Sequence, residues 1–334
     1  MTGPVQALVE QVLAFAEQRG EPDPLLRRRI AVLIPCYNEV QTIATVVGDF
    51  RRALPEARIY VYDNNSTDGT AVAARAAGAE LRRETRQGKG HVVRRMFADI
   101  EADLYLLVDG DGTYAADAAP RLVEAMVEGH LDLVNGARVP DHGGVHRFGH
   151  AFGNRLLTGL VGRIFGARLG DMLSGYKLLS RRFVKSFPCL ASGFEIETEL
   201  LVHALELRMP IEELPTAYRE RPEGSVSKLH TIRDGIRILW TIFRLVQVER
   251  PLQFFGTAFL LLIAAAIWLM IPVFITFEQT GLVPRQPTAV LATGMTLLGF
   301  LSLACGLILQ TVTLGRLEAK RMVYLGIPGV AGRG

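Results

Sequence analysis

Cysteine is scarce: Cys36, Cys189 and Cys305 are the three in 334 residues. An odd count without a C-x-x-C pair points to neither a disulfide framework nor a zinc site, and a reducing compartment is the simplest setting. A large excess of one charge is also missing. The net charge of +3 carries no bulk signal for nucleic acid. The first residues lack a basic stretch followed by an apolar core, so no cleaved leader is expected. Instead Val5, Leu8, Val9, Val12, Leu13 and Ala16 follow helical spacing. They predict an amphipathic helix packed on the protein, with a membrane-surface role as the alternative. The phosphate loop G-x-x-x-x-G-K-[ST] is absent. Charge itself becomes scarce after Arg250.

What is present is an alternation of strands and helices. "IAVLIPCYNE", whose apolar run ends at Pro35, "ARIYVYDNNSTDGT", "LYLLVDGDG" and "LDLVNGAR" are apolar stretches that end in turn chemistry, separated by helical stretches over about 40–53 and 70–79. That order predicts βαβ units and a mostly parallel sheet, an α/β fold. In such sheets ligands bind beyond the carboxyl ends of the strands. Asp63, Asp109, Asp111 and Arg138 all fall at such ends.

The distal part differs. From Ser227 to Glu249, Leu229, Ile232, Ile236, Leu239, Trp240 and Phe243 form a stripe beside Lys228, Arg233, Arg237 and Arg244, which suits an interfacial helix. Residues 252–277 and 289–314 run almost without charge. Each is long enough to cross a hydrocarbon core of about 30 Å. Their outer flanks carry Arg250 on one side and Arg316, Lys320 and Arg321 on the other. The positive-inside rule therefore predicts a cytoplasmic catalytic part, cytoplasmic termini and an external loop over 278–288. The expected division is 1–29 helix and basic linker, 30–226 catalytic, 227–250 interfacial, 251–277 and 289–315 membrane-spanning, and 316–334 tail.

The chemistry-bearing positions admit more than one role. Asp109 and Asp111 alternate with glycine at a strand end, where hard oxygens suit Mg²⁺ or Mn²⁺ that also holds a diphosphate. General acid–base work and a solvated turn are the competing roles. Asp63 is placed to accept hydrogen bonds from a nucleotide, and also to start a turn into the helix after "NNSTDGT". Lys89 lies between two glycines at a helix start, which suits an anion. Arg138 ends a strand, with Arg147 and Arg155 beyond it. His142, His146 and His150 are too loosely spaced to make a convincing metal site.

Together "IPCYNE", "YDNNSTDGT", "GKG", "DGDG", "NGAR", "DMLSGYK", "GFEIETEL" and "RPEGSVSKL" resemble family 2 of the inverting glycosyltransferases over about residues 30–320. The branch most resembled uses polyprenyl phosphates, including dolichyl-phosphate mannose synthases and bacterial undecaprenyl-phosphate glucosyltransferases with two C-terminal membrane helices. The resemblance implies a GT-A fold, a nucleotide-sugar donor, a divalent metal (Mg²⁺ or Mn²⁺) and a lipid acceptor. It implies that Pro35, Tyr37, Glu39 and Asp63 line the nucleotide with Lys89 nearby. Asp109 and Asp111 would hold the metal and diphosphate, making Asp109 part of the donor site as well. Arg138, Arg147 and Lys228 would bind acceptor and diphosphate phosphates, with Arg138 and Lys228 taking part in catalysis. Ser174, Gly175 and Glu197 fall in family-like stretches without an assigned role. Tyr176-Lys177 stands where many relatives have Phe-Arg, so a point-charge lysine would replace a phosphate-binding arginine.

A lipid monophosphate has its second pKa near ~6 if it behaves like a phosphoester side chain, so it is mostly dianionic at neutral pH and needs no protein base. In-line attack at the anomeric carbon, with inversion, is the expected reaction. A UDP-hexose is preferred as donor and GDP-mannose is the alternative. A processive polysaccharide synthase is disfavoured, because no Q-x-x-R-W motif occurs and two spans enclose no obvious pore. A catalytically silent membrane scaffold and a nucleotidyltransferase are the other readings. Homo-oligomers are possible, with Gly256, Gly294, Gly299 and Gly306 permitting close helix packing.

Overall fold

A computed structural model describes residues 28–140, 159, 162, 170–191, 193, 195–219, 243 and 246–330. The N-terminal helix, most of the interfacial helix, Arg147, Arg155, Lys228 and the three loop histidines lie outside the described residues. The chain divides into two compact units. One holds the sheet and the residues from Val323 onward; the other holds the two long apolar helices as far as Met322.

In chain order the first unit contains β1 (Ile30–Cys36), α1 (Ile43–Ala53), β2 (Arg58–Asp63), α2 (Thr70–Ala76), β3 (Glu80–Arg83) and α3 (Lys89–Asp99). β4 (Leu104–Leu107), α4 (Ala119–Glu128), β5 (Leu133–Pro140), β6 (Lys177–Ser180), α5 (Arg181–Ser186), α6 (Ile196–Leu207) and β7 (Ile211–Tyr218) follow. The seven strands form one sheet in the order β3-β2-β1-β4-β6-β5-β7. Every pairing is parallel except those of β6, which runs antiparallel to both β4 and β5. The mostly parallel α/β expectation therefore holds. β3, β6 and β7 are not among the strands expected from the sequence, because the four-residue stretches ELRR and KLLS and a strand with Glu212, Glu213 and Pro215 give little periodic signal. Proline and exposed acids suit β7, an edge strand.

Ile43, Val46, Val47 and Phe50 of α1, and Ala119, Leu122, Val123 and Met126 of α4, recur at helical spacing and are buried. They join Val32, Ile34, Val61, Leu104 and Leu106 in one core cluster. Phe97 of α3 packs edge-on to Tyr105, with ring centroids 6.2 Å apart. Register then aligns the strand ends: Cys36 pairs with Asp63, and Leu33 with Leu107. The chain turns outward from β1 to β2 and β3, then returns to the other side of β1 as β4. The crevice of an open α/β sheet forms at that reversal.

In the second unit, α7 (Pro251–Thr280) and α8 (Gln286–Leu325) are long and apolar enough to cross a membrane. α8 extends well beyond the expected span of 289–315. The two helices meet through Ser302, whose hydroxyl donates to the Phe255 carbonyl at 2.9 Å, and through the rings of Phe259 and Phe300. Leu260, Trp268 and Phe274 remain exposed, as side chains facing lipid would be.

Candidate active site

β4 ends at Leu107, and Val108 keeps one further bond, its N–H donating to the Leu33 carbonyl at 3.1 Å. Asp109-Gly110-Asp111-Gly112 then turns across the sheet end. Gly112 has φ of 74°, a backbone conformation that favours glycine. The Thr42 hydroxyl, at the start of α1, donates to the Gly110 carbonyl at 2.7 Å and pins the turn. Asp111 is buried and accepts from the Thr113 N–H (3.1 Å) and hydroxyl (2.6 Å).

Asp109 contacts a buried chain of charges. Its Oδ1 lies 2.5 Å from Lys89 Nζ, and the same ammonium lies 2.5 Å from Glu197 Oε1. Glu197 Oε2 is 3.5 Å from Lys177 Nζ. Burial pushes the Asp109 carboxyl up; Lys89 opposes this, while Asp111 and Glu197 add to it. Burial holds the Lys177 ammonium below its usual value, against the pull of Glu197. Lys177 is wholly buried, donating to Asn135 Oδ1 at 3.1 Å and to the Ser174 carbonyl. It is thus bound to protein partners within the sheet, unlike a surface phosphate ligand. Among the described residues no three His, Cys, Asp or Glu side chains form a metal cage. Two neighbouring carboxylates offering oxygen donors only, with the Asp111 charge working against ionisation of Asp109, do fit a hard divalent cation completed by a diphosphate.

The other positions surround this turn. Pro35 and Cys36 close β1, and Tyr37 is 37% exposed beyond them. The Glu39 N–H donates to Thr70 Oγ1 at 2.8 Å. Asp63 is buried at the end of β2, and its carboxylate accepts from the Ser66 N–H at 3.2 Å, making the expected turn into α2. Asn64, which the sequence did not single out, clamps the approach to α3. Its amide donates to the Glu84 and Arg86 carbonyls, both at 2.8 Å, and its oxygen accepts from the Gly88 N–H at 2.8 Å. That clamp orders the loop that delivers Lys89.

Arg138 of β5 is 26% exposed and forms a bidentate pair with Asp171, Nε to Oδ2 at 2.6 Å and Nη2 to Oδ1 at 2.8 Å. Asp171 had no assigned role in the sequence; its only signal was its place in "DMLSGYK". The Arg138 guanidinium also sits over the Tyr218 ring, which packs on Tyr114 at 5.3 Å. The Tyr114 hydroxyl accepts from the Gly175 N–H at 2.7 Å. Gly175 in turn touches Asp109: a Cβ there would lie 2.3 Å from Asp109 Oδ2. A continuous line of contacts thus joins Arg138 to the acidic turn.

Glycosyl transferase family 2 matches residues 31–187. Glycosyltransferase AglJ of Haloferax volcanii is 37% identical over 231 residues, 68% of this chain and 75% of that protein. The undecaprenyl-phosphate mannosyltransferase of Micrococcus luteus is 27% identical, covering 59% of this chain and 86% of its own. The crystal structure of Mycobacterium tuberculosis glucosyl-3-phosphoglycerate synthase superposes with a TM-score of 0.55 at 23% identity, over 66% of this chain and 81% of that one. That last likeness speaks for the fold. With the sheet reversal, the acidic turn and a relative of this identity and coverage in hand, the chain belongs to glycosyl transferase family 2.

Proposed function

We propose that this protein transfers a hexose from a nucleotide sugar, a UDP-hexose by preference, to a polyprenyl phosphate such as undecaprenyl phosphate, with inversion. The observation that carries the reading is the Asp109–Asp111 turn at the carboxyl end of β4, beside the β1–β4 reversal, with Lys89 against it. The names of relatives support a polyprenyl-phosphate acceptor, and the two apolar helices suit a lipid substrate. The positive flanks favour a catalytic region, residues 30–226, on the cytoplasmic face.

In this reading Tyr37, Glu39 and Asp63 border the nucleotide. Asp109 and Asp111 hold Mg²⁺ or Mn²⁺, which when bound neutralises the leaving diphosphate. Lys89 keeps the Asp109 carboxylate in place. Arg138 meets the acceptor phosphate, with Arg147 and Lys228 as further cations. A phosphate oxygen of the lipid attacks the anomeric carbon as the bond to the nucleoside diphosphate breaks. The dianionic acceptor needs no proton removed, so no base is required.

Purified protein would be incubated with Mg²⁺ or Mn²⁺, undecaprenyl phosphate and a panel of UDP- and GDP-sugars. Nucleoside diphosphate release and the anomeric configuration of the lipid product would be measured. One productive donor with inverted product, lost on chelation, is expected. Folded protein that binds nucleotide but turns over no donor would sink the reading in favour of a silent scaffold. Release of inorganic diphosphate would instead identify a nucleotidyltransferase, and a GDP-mannose-only product would move the donor to the alternative.

A further inference from the structure

Arg138, two residues before the end of β5, is held on more than one side. Asp171 grips one edge of its guanidinium, Nε and Nη2, and also accepts from the Arg138 backbone N–H at 3.2 Å. Tyr218 lies against its face. Among the described residues this leaves the Nη1–Nη2 end as the edge available for a bidentate oxyanion. Burial works against the charge on Asp171, but the hydrogen bonds and charge of Arg138 outweigh it and hold the carboxyl below its usual range.

Asp171 is itself braced from the far side of β5. Its N–H donates to Glu213 Oε2 at 3.2 Å, and the preceding Gly170 N–H donates to Glu213 Oε1 at 2.7 Å. Its carbonyl accepts from Asn135 Nδ2 at 2.7 Å, and the same amide reaches Glu213 Oε2 at 2.9 Å. Glu213 belongs to β7 and Asn135 to β5, adjacent strands in register at these two residues. The segment that follows, Ser174-Gly175, is tied to the acidic turn through Tyr114 and Asp109. One short stretch therefore touches both the arginine and the carboxylate turn.

We propose that Asp171, braced by Glu213, is a positioning residue that fixes the Arg138 guanidinium with its Nη1–Nη2 end presented to the acceptor phosphate. The inference rests on the reading of Arg138 as an acceptor-phosphate ligand. Its physical basis is preorganisation: a long side chain held in one rotamer before the ligand arrives loses little entropy on binding it. Asp171 acts through Arg138 and need not touch the substrate.

The test is a double-mutant cycle on the full chain in lipid nanodiscs, with undecaprenyl phosphate and the productive nucleotide sugar as substrates. Equilibrium binding of UDP would be measured alongside. Asp171→Asn is expected to raise the acceptor KM by roughly tenfold, with UDP affinity unchanged. Asp171→Glu should recover part of that loss, and Glu213→Gln should move the same constant by less. In an Arg138→Gln background, Asp171→Asn should add nothing further. Retention of its full effect in that background would overturn the proposal, as would an Asp171→Asn enzyme with unaltered constants. If Arg138→Gln raises the donor KM instead, the acceptor assignment fails; non-additivity on that constant would still support positioning. Glu213→Gln supplies the readout if Asp171→Asn does not fold, and an effect of Glu213→Gln that persists without Arg138 would be equally fatal.

Discussion

Lys89 Nζ lies 2.5 Å from Asp109 Oδ1, so the first residue of α3 is bonded to the acidic turn after β4. Glu197 of α6 completes the bridge from the other side. Burial works against the charge on Lys89, but Asp109 and Glu197 outweigh it and hold the ammonium above its usual range. Lys89→Met would remove the buried cation between Asp109 and Glu197, leaving Glu197 with Lys177 at 3.5 Å. Breaking such a pair costs about 3–5 kcal/mol. For a unit of this size that is a fall in Tm of roughly 6–20 °C. Thermal unfolding followed by circular dichroism checks it; a shift of a degree or two would show the bridge to be dispensable.

Gly175 lies against the Asp109 carboxylate and has no side chain of its own. Gly175→Ala would place a methyl group 2.3 Å from Oδ2 and force the carboxylate aside. Displacement of about 1 Å at a reacting centre costs on the order of 100-fold in rate. The expected signature is a lower kcat and a higher Mn²⁺ requirement. Kinetics across a Mn²⁺ titration would reveal it; wild-type metal dependence would contradict the close packing at this point.

Asp111 keeps its place through Thr113, so its amide counterpart fits the same space. Asp111→Asn should leave the fold intact and lower kcat by about 100- to 1,000-fold, the scale of losing one electrostatic partner of the transition state. Chelation of wild-type enzyme should abolish turnover, and Mn²⁺ should restore it. Activity that survives both treatments would remove the metal from the mechanism.

The Arg138–Asp171 pair predicts an acid limit to stability. The folded carboxyl is held below its ordinary value, so its contribution is present in full above the unfolded value of about 4. It is lost as pH falls from there through the folded value, because the unfolded chain takes up the proton first. Asp171→Asn should destabilise the protein at neutral pH and weaken the decline on the acid side. Unfolding curves at several pH values from neutral to about 3 would test this; parallel acid-side slopes in variant and wild type would rule the pair out as a source.

Much of this protein could be read from its chain. The apolar runs that precede Cys36, Asp63 and Asp109 determined three neighbouring parallel strands, because buried strands between helices leave a plain hydrophobic record. Continuous apolar residues determined α7 and α8, and an Asp-Gly-Asp-Gly turn at a strand end marked the site. The register of Cys36 with Asp63 is the kind of detail that periodicity does not carry. Only the tertiary structure placed "DMLSGYK" beside that turn. β6 enters antiparallel between β4 and β5, setting Lys177 opposite Leu107 and Asn135 and bringing Ser174 and Gly175 to the site end of the sheet. That reversal joins residues separated by tens of positions, so no local spacing records it. The partners of the charges were decided there too. A carboxylate such as Asp171 or Glu197 looks like any other in a sequence; burial makes it seek a cation, and the fold alone determines that the cation is Arg138 or Lys89.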